Sequence, residues 1–404
     1  MKLVQRHLIK PNNQFYQEID KLTFLSKNLY NCGIYLCRQA FFKGEKIPSQ
    51  NQLYHQLKGE IDYRLLPTKV SQLVLKQVEK TFKSYQSALK EYKQKPSKFT
   101  GKPSLPRYKD KVKGRNIVTY NYQAISVKSL KKGLVNPSKT NILIKTDIKE
   151  ILEVRLIPKN RGVYLVEIVY EKPEKETIIS DNSAYIDLGL NNLAVLTSNK
   201  KGFQPKLICG RALKSCNHYY NKRIAQLKSQ LNHKQKTSKK IQSLTLKRNN
   251  KVDYYLHTAS RYIINHLLEN NISLLVIGQN KNWKQGMKLG KKNNQNFVNI
   301  PHDKLIQQLT YKAQLVGLKV ITTEESYTSK CSFLDLEPVK KQEKYLGKRV
   351  KRGLFKASNG YVYSADVNGS LNIGRKVVGE SVFDGDSIVR FVVNPLRVKS
   401  YKAS

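Results

Sequence analysis

Ala184-Tyr185-Ile186-Asp187-Leu188-Gly189 is the stretch whose reading decides the fold of the second half of this chain. It is an apolar run of strand length that ends in a carboxylate and a glycine. Open α/β sheets place their sites at the C-terminal ends of such strands. The other reading of Asp187 is a turn aspartate that closes the strand. Outward from it, Asn192–Ser198 and Lys206–Ile208 read as the next two strands. A long helical pair follows, with Tyr220, Ile224, Leu227 and Leu231 on one stripe and Val252, Leu256, Ala259, Ile263 and Leu267 on the other. The connection Lys234–Lys251 is rich in lysine. Then come a buried strand Ser273–Ile277, a polar loop to Asn299, a helix over Leu305–Val316 and a strand Leu318–Thr323. Strands alternating with helices predict a mostly parallel α/β sheet.

The first half follows a different pattern. Residues 1–10 read as a strand ending at Pro11. Phe15, Ile19, Leu22, Leu25, Leu29, Cys32 and Leu36 recur at steps of three and four, and Val74, Val78, Phe82, Tyr85, Leu89 and Tyr92 do the same. Residues 12–95 are therefore a helical unit, with Lys76, Lys80, Lys83 and Lys90 on its other faces. Pro96–Asn116, with Pro96, Gly101, Pro103 and Pro106 among lysines, reads as a loop lying on phosphate. Short strands follow at Ile117–Tyr120, Ile125–Val127, Asn141–Ile144, Val154–Ile157 and Val163–Tyr170, separated by turn signals such as Lys132-Gly133 and Arg161-Gly162. They predict an antiparallel barrel or sandwich that the N-terminal strand joins, with the helical unit inserted in it. Glu171–Asp181 reads as a linker.

Composition narrows the partner. The chain has 404 residues, 74 Lys or Arg and 29 Asp or Glu, for a net charge of +45. Such a field repels itself unless a polyanion neutralises it, and nucleic acid is the default partner, because each Lys or Arg on a phosphate releases a counterion. Hydrophobic residues make up 39%, too many for a disordered protein. No run approaches the ~20 apolar residues of a membrane span. Met1–Arg6 lacks the apolar region of a secretory leader. Cys32, Cys37, Cys209, Cys216 and Cys331 are odd in number and form no CxxC, which predicts free thiols and a cytoplasmic protein.

Asp366, in Ala365-Asp366-Val367-Asn368-Gly369-Ser370-Leu371-Asn372-Ile373, precedes a short helix. An N-cap is its plain role. Together with Asp187 in so basic a chain, it suggests a shared divalent-metal site. Cleaving a phosphodiester takes several hard oxygen ligands holding two Mg²⁺ at ~3.5–4 Å.

These residues also carry a family resemblance. Ile186–Asn192, Tyr327-Thr328-Ser329-Lys330-Cys331-Ser332 and Asp366–Ile373 are similar to the signature blocks of the TnpB family, insertion-sequence-encoded RNA-guided DNA nucleases ancestral to type V CRISPR effectors. Gly101–Lys109 resembles a further family segment. The resemblance implies a multidomain α+β and α/β chain. Residues 1–11 and 96–175 would form a wedge-type β-barrel domain, and 12–95 an inserted helical recognition domain. Residues 182–327 and 357–385 would form a RuvC-like, RNase H-fold nuclease domain. Residues 328–356 would be a zinc-ribbon-like insertion that has lost its metal, and 386–404 a C-terminal tail. It also implies a guide RNA, target double-stranded DNA beside a short target-adjacent motif, and a separate transposase encoded by the same element.

The chain departs from the family pattern twice. Where the family has a glutamate at the end of the strand Ser273–Ile277, this chain has Gly278, followed by Gln279 and Asn280. In an RNase H-like sheet the strand ending at Thr323 neighbours the one ending at Gly278, which neighbours the Asp187 strand. A glycine leaves room for a carboxylate to reach across, so Glu325 is the first choice for the missing ligand and Glu324 the second. A pair of solvated glutamates is the alternative. The second departure is the CxxC…CxxC ribbon, reduced here to Cys331. One thiolate cannot make a tetrahedral site, so no structural zinc is expected.

The expected catalytic and Mg²⁺-binding set is therefore Asp187, Glu325 and Asp366. Expected nucleic-acid contacts are Lys76, Lys80, Lys83, Lys102, Arg107, Lys109, Lys236, Lys239, Lys240, Lys247, Arg248 and Lys330, with aromatic neighbours such as Tyr92, Tyr108, Tyr219, Tyr220 and Trp283 able to stack bases. The competing reading is a nuclease-dead, RNA-guided repressor, which has no need of two catalytic aspartates. A strand-transferring transposase ranks last, because no HUH-type histidine pair with a nucleophilic tyrosine is present.

Overall fold

The computed structural model describes residues 1–159, 162–232, 235–280, 300–380, 383 and 394–398. The chain divides into two compact units, Met1–Lys172 and Pro173–Ser404, and the division falls inside the stretch expected to be a linker.

In the first unit β1 (Lys2–Ile9) leads into α1 (Tyr16–Phe42), α2 (Gln50–Leu57), α3 (Ile61–Arg64) and α4 (Thr68–Gln94). The expected stripes bury Ile19, Leu22, Leu25 and Leu29 on α1 and Val74, Val78 and Phe82 on α4, whereas Cys32, Leu36, Tyr85, Leu89 and Tyr92 are half-buried and Ile34, Cys37, Val70 and Leu75 join the core instead. Then come β2 (Val118–Asn121), α5 (Val127–Lys131), β3 (Leu134–Val135), β4 (Ile144–Lys145), β5 (Glu153–Lys159) and β6 (Val163–Glu171). The N-terminal strand does join this unit's sheet. Its order is β1-β6-β5-β2, antiparallel throughout, with Leu3 opposite Tyr170. The expected barrel is, among the described residues, an open four-stranded sheet beside a separate β3–β4 ribbon. The expected strand Ile125–Val127 shrinks to one bridge between Ile125 and Pro137. Ser126 Oγ accepts from the Ser129 amide there, and this cap turns Val127 into the start of a helix.

Apart from one 3₁₀ turn at Pro96–Lys98, residues 96–116 form no regular element, as expected. The loop is nevertheless tied to α1. Arg38 donates to the Pro106 carbonyl (2.8 Å), buried Lys27 donates to that of Lys111 (2.7 Å), and the Asn31 amide pairs with the Lys109 backbone.

The second unit comprises β7 (Ser183–Leu188), β8 (Asn192–Ser198), β9 (Lys206–Cys209), α6 (Arg211–Ser229), α7 (Lys239–Glu269), β10 (Leu274–Gly278), α8 (His302–Gln314), β11 (Lys319–Thr323), β12 (Lys348–Lys351), β13 (Leu354–Lys356), β14 (Val362–Ser364), α9 (Ala365–Val378) and β15 (Leu396–Val398). Its main sheet runs β11-β10-β7-β8-β9-β15. Three of its five ladders are parallel, β11–β10, β10–β7 and β9–β15, whereas the two of the β7–β8–β9 meander are antiparallel.

Strand alternation gives this sheet two faces. Ala184, Ile186 and Leu188 pack with Val252, Leu256 and Ile263 of α7 and Leu305 and Leu309 of α8. Tyr185, Val195 and Val276 pack with Val367, Leu371 and Ile373 of α9. The same alternation turns Asp187 and Gly278 toward α9. β12, β13 and β14 form a small antiparallel sheet, and Phe355 and Tyr363 join the α9 core. Among the described residues no helix is long and apolar enough to cross a membrane.

Candidate active site

Asp187 is the penultimate residue of β7, opposite Val195. α9 comes close above it. A Cβ built on Gly369 would stand 3.0 Å from Asp187 Oδ2, so a larger residue there would crowd the carboxylate. Ser370 Oγ lies 3.0 and 3.1 Å from the Tyr185 and Val195 carbonyls and fixes the helix on the strands. The Asp187 residue is only half-buried, but its carboxyl lies deep. Burial pushes it well above the usual carboxylate range, and the Glu325 and Asp366 charges push it further, against the pull of Arg349.

Asp366 occupies the first turn of α9. Its Oδ2 accepts from Asn192 Nδ2 (2.8 Å), and its Oδ1 lies 3.9 Å from the Arg349 guanidinium on β12.

Glu325 follows the end of β11, whose Thr323 pairs with Gly278. It fills the space that the glycine leaves. A Cβ on Gly278 would stand 2.6 Å from Glu325 Oε1 and 2.8 Å from its Cγ. Asn280 holds the glutamate on both sides, donating to Oε2 (3.1 Å) and accepting from the Glu325 amide (3.0 Å). Oε1 is buried and has no hydrogen-bond partner among the described residues. Burial, then the neighbouring Glu324 charge, pushes this carboxyl up to about 7, against the pull of Lys376. Glu324 turns the other way. It is exposed, accepts from the Ser326 hydroxyl and amide, and pairs with Lys376 at 3.2 Å. The Ser326 hydrogen bond and Lys376 lower its pKa.

The Asp187 carboxyl thus feels the charges of both Glu325 and Asp366, whereas the Glu324 side chain is held outward by Ser326 and Lys376. The side chains that sequence reasoning missed are Asn280, Asn192 and Arg349. Neither Asn280, two residues after the glycine, nor Arg349 carried a distinctive signal in the sequence.

Hard carboxylate oxygens suit a divalent cation, and the orphaned, buried Glu325 Oε1 is an acceptor that a cation would satisfy. Among the described residues, no group of three or more His, Cys, Asp or Glu side chains stands at metal-ligating spacing. The donors are therefore of the right kind but not drawn together. Cys331 is buried, with its Sγ 3.4 Å from the Pro338 carbonyl and 3.5 Å from that of Lys340.

The basic residues are dispersed rather than gathered into one site. Lys76 and Lys80 are exposed and, with Arg155 and Glu153, line a cavity of about 330 Å³ in the first unit. Lys83 is exposed and pairs with Glu79 (3.1 Å). Lys102, Arg107, Lys236, Lys239, Lys240, Lys247 and Lys330 are exposed. Two of the expected contacts turn inward. Lys109 lies over the Tyr30 ring, and burial lowers its pKa. Arg248 donates to Asn217 Oδ1 (2.8 Å) and covers the Tyr220 ring. Of the aromatic residues, Tyr92 packs edge-on against Phe99, Tyr108 and Tyr219 are exposed, and Trp283 lies outside the described residues.

The site is thus a mixed sheet with one carboxylate at the end of β7, another just past the end of β11 on the far side of β10, and a third on α9. Residues 167–284 match the family model OrfB_IS605, described as a probable transposase, and residues 302–373 match the TNB domain of Cas12f1-like proteins. Over these stretches the chain is similar to the TnpB family. It is 29% identical over 233 residues to the TnpB-like protein ORF457 of Acidianus two-tailed virus, a match covering 54% of this chain and 47% of the viral protein, about half its length. It is 24% identical over 377 residues to the CRISPR-associated endodeoxyribonuclease Cas12f1 of Sulfoacidibacillus thermotolerans, covering 81% of this chain and 82% of that one. Its fold is similar to that of Cas12f1 in a complex with single-guide RNA and target DNA (TM-score 0.53, 15% identity, 89% of this chain and 82% of that chain).

Proposed function

We propose that this chain is an RNA-guided DNA endonuclease of a transposable element, with Asp187, Glu325 and Asp366 as its hydrolytic centre. The observation that carries the reading is the Glu325 carboxyl seated in the space left by Gly278, beside a raised Asp187. Asp187 would present oxygens from the end of β7, Glu325 from just past the end of β11 across the Gly278 position of the strand between them, and Asp366 from the start of α9. Asn280 and Asn192 hold two of these carboxylates in place and donate no charge of their own. Two Mg²⁺ ions bound by these oxygens would supply activation of water and stabilisation of the leaving 3′ oxygen.

In this reading residues 182–327 and 357–385 act as a RuvC-like, RNase H-fold domain. Residues 1–11 and 96–175 act as the wedge domain, with 12–95 as its recognition insertion. Base pairing with the guide would read the target, and the exposed lysines would hold the backbone of guide and DNA by charge. The place of work would be the prokaryotic cytoplasm, alongside the element's transposase.

The test is cleavage and binding measured separately with a cognate guide and target. Asp187→Ala, Glu325→Ala and Asp366→Ala should each lower cutting by orders of magnitude, as removing a catalytic group does, while guide-dependent binding persists. Glu324→Ala should cut nearly as wild type. If Glu324→Ala is dead and Glu325→Ala normal, the assignment is off by one residue. Guide-dependent binding without cutting by the wild type replaces this reading with a repressor.

A further inference from the structure

A second cavity lies on the other side of the catalytic sheet, where α7 and α8 pack. It has a volume of about 510 Å³, and its lining includes Tyr254, Arg261, Tyr262, His266, Tyr311 and Lys312. Lys312 is 4% exposed, and its Nζ donates to the His257 carbonyl (2.7 Å) and Ser260 Oγ (2.6 Å). That accounts for two of its three N–H groups. Among the described residues it has no carboxylate partner. Of the acidic residues on this stretch of α7, Asp253 pairs with Lys304, and Glu269, which also lines the groove, lies 3.5 Å from His266 Nδ1. Arg261, one α7 turn from His257, is exposed and makes no hydrogen bond or ion pair among the described residues. Burial, then the Arg261 charge, press the Lys312 pKa down to about 8, and neither cation forms an ion pair with a carboxylate among the described residues, Glu269 at the same groove lying against His266 instead.

A buried ammonium without a partner anion is costly, and an incoming phosphate would remove that cost. Beside the cations, the Tyr262 and His266 rings stack nearly parallel, with centroids 6.1 Å and planes 10° apart. Burial lowers the His266 pKa, so its ring is mostly neutral at pH 7 and serves as a stacking surface rather than a third cation. Tyr254 is 67% exposed at the same groove.

We propose that the α7–α8 groove binds a nucleotide unit, its phosphate held by Arg261 and Lys312 and its base laid against the Tyr262–His266 stack. The volume fits one such unit, since small-ligand pockets run from about 300 to 1,000 Å³. An acidic peptide would satisfy the cations but make no use of the aromatic stack. The site faces away from Asp187 and does not depend on the catalytic reading. A chain that never cuts would still bind here.

The experiment titrates the full-length protein with 5′-AMP, ribose 5-phosphate, hexaglutamate and a single-stranded RNA octamer, at salt high enough to suppress diffuse binding. Removing one charge-assisted phosphate contact should weaken AMP binding about tenfold in Arg261→Ala. Arg223→Ala, which alters an exposed arginine on α6, should leave it unchanged. Ribose 5-phosphate should bind about tenfold more weakly than AMP, because it cannot stack. AMP binding identifies a site that takes the free nucleotide. Octamer binding alone, still weakened by Arg261→Ala, identifies a strand-binding site. The proposal is overturned if Arg261→Ala changes neither ligand, if ribose 5-phosphate equals AMP, or if hexaglutamate binds as well as either nucleotide ligand.

Discussion

Gly278→Ala is the substitution that most directly tests how the carboxylates are arranged. The added Cβ would stand 2.5 Å from Ile373 Cδ1, 2.6 Å from Glu325 Oε1 and 2.8 Å from Glu325 Cγ. Real carbons do not approach so closely, so α9 or Glu325 must move. Overpacking a core of this kind costs about 1–3 kcal/mol. In a domain of this size that lowers the melting temperature by several degrees, at about 2–4 °C per kcal/mol. The catalytic effect should be much larger. Moving Glu325 breaks its two hydrogen bonds to Asn280, and a misplacement of ~1 Å at a reacting centre costs about a hundredfold. The assay follows cutting of a labelled guide-matched duplex in Mg²⁺, with binding followed by gel shift on the same samples. Adding Ile373→Val removes the clash with the helix and should recover part of the melting temperature without recovering cutting. Placing Gly278→Glu in the Glu325→Ala chain puts a carboxylate back on β10, into space the deletion has opened, and should recover some activity. Wild-type cutting by Gly278→Ala would refute the placement of Glu325 at the reacting centre.

Three further outcomes are expected. Glu325 has its folded pKa raised to about 7 from an ordinary 4.5, so the folded chain binds the extra proton between those values. The ionised group therefore costs stability above pH 7 and nothing below 4.5. In chelator, Glu325→Gln should melt higher than wild type at pH 8, with the difference fading as the pH falls through 7 toward 4.5; a pH-independent gain would contradict this. Zinc chelation should leave the circular dichroism and melting temperature unchanged, because Cys331 is the sole cysteine between residues 328 and 366 and faces backbone carbonyls. Stoichiometric zinc whose removal unfolds the protein would count against it. Guide RNA affinity should fall steeply with salt, with a log–log slope of several units set by the +45 charge; a flat response would mean that phosphate contacts do not dominate binding.

Much of this fold is written locally. The steps of three and four through Phe15–Leu36 and Val74–Tyr92 became α1 and α4, and the apolar run before Gly189 became β7. Each pattern is a property of a few neighbouring residues and of backbone geometry, so it survives without knowledge of the rest of the chain. The gap at Gly278 was also legible, but alternation along an extended chain says only that Glu324 and Glu325 point to opposite sides, not which of them faces Gly278. Tertiary structure decided what depends on contacts across long stretches of chain. β1 and β2 stand at opposite edges of the first sheet rather than pairing, which leaves it open among the described residues, and the β7–β8–β9 meander adds two antiparallel ladders to an otherwise parallel second sheet. Lys109 and Arg248 look like any other basic residue in sequence. Only packing against Tyr30 and Tyr220 withdraws them from the surface. Asn280 is likewise just a polar residue in a loop until β11 is laid beside β10. Its amide then meets both the Glu325 carboxylate and its backbone, because hydrogen bonding depends on distance in space rather than along the chain.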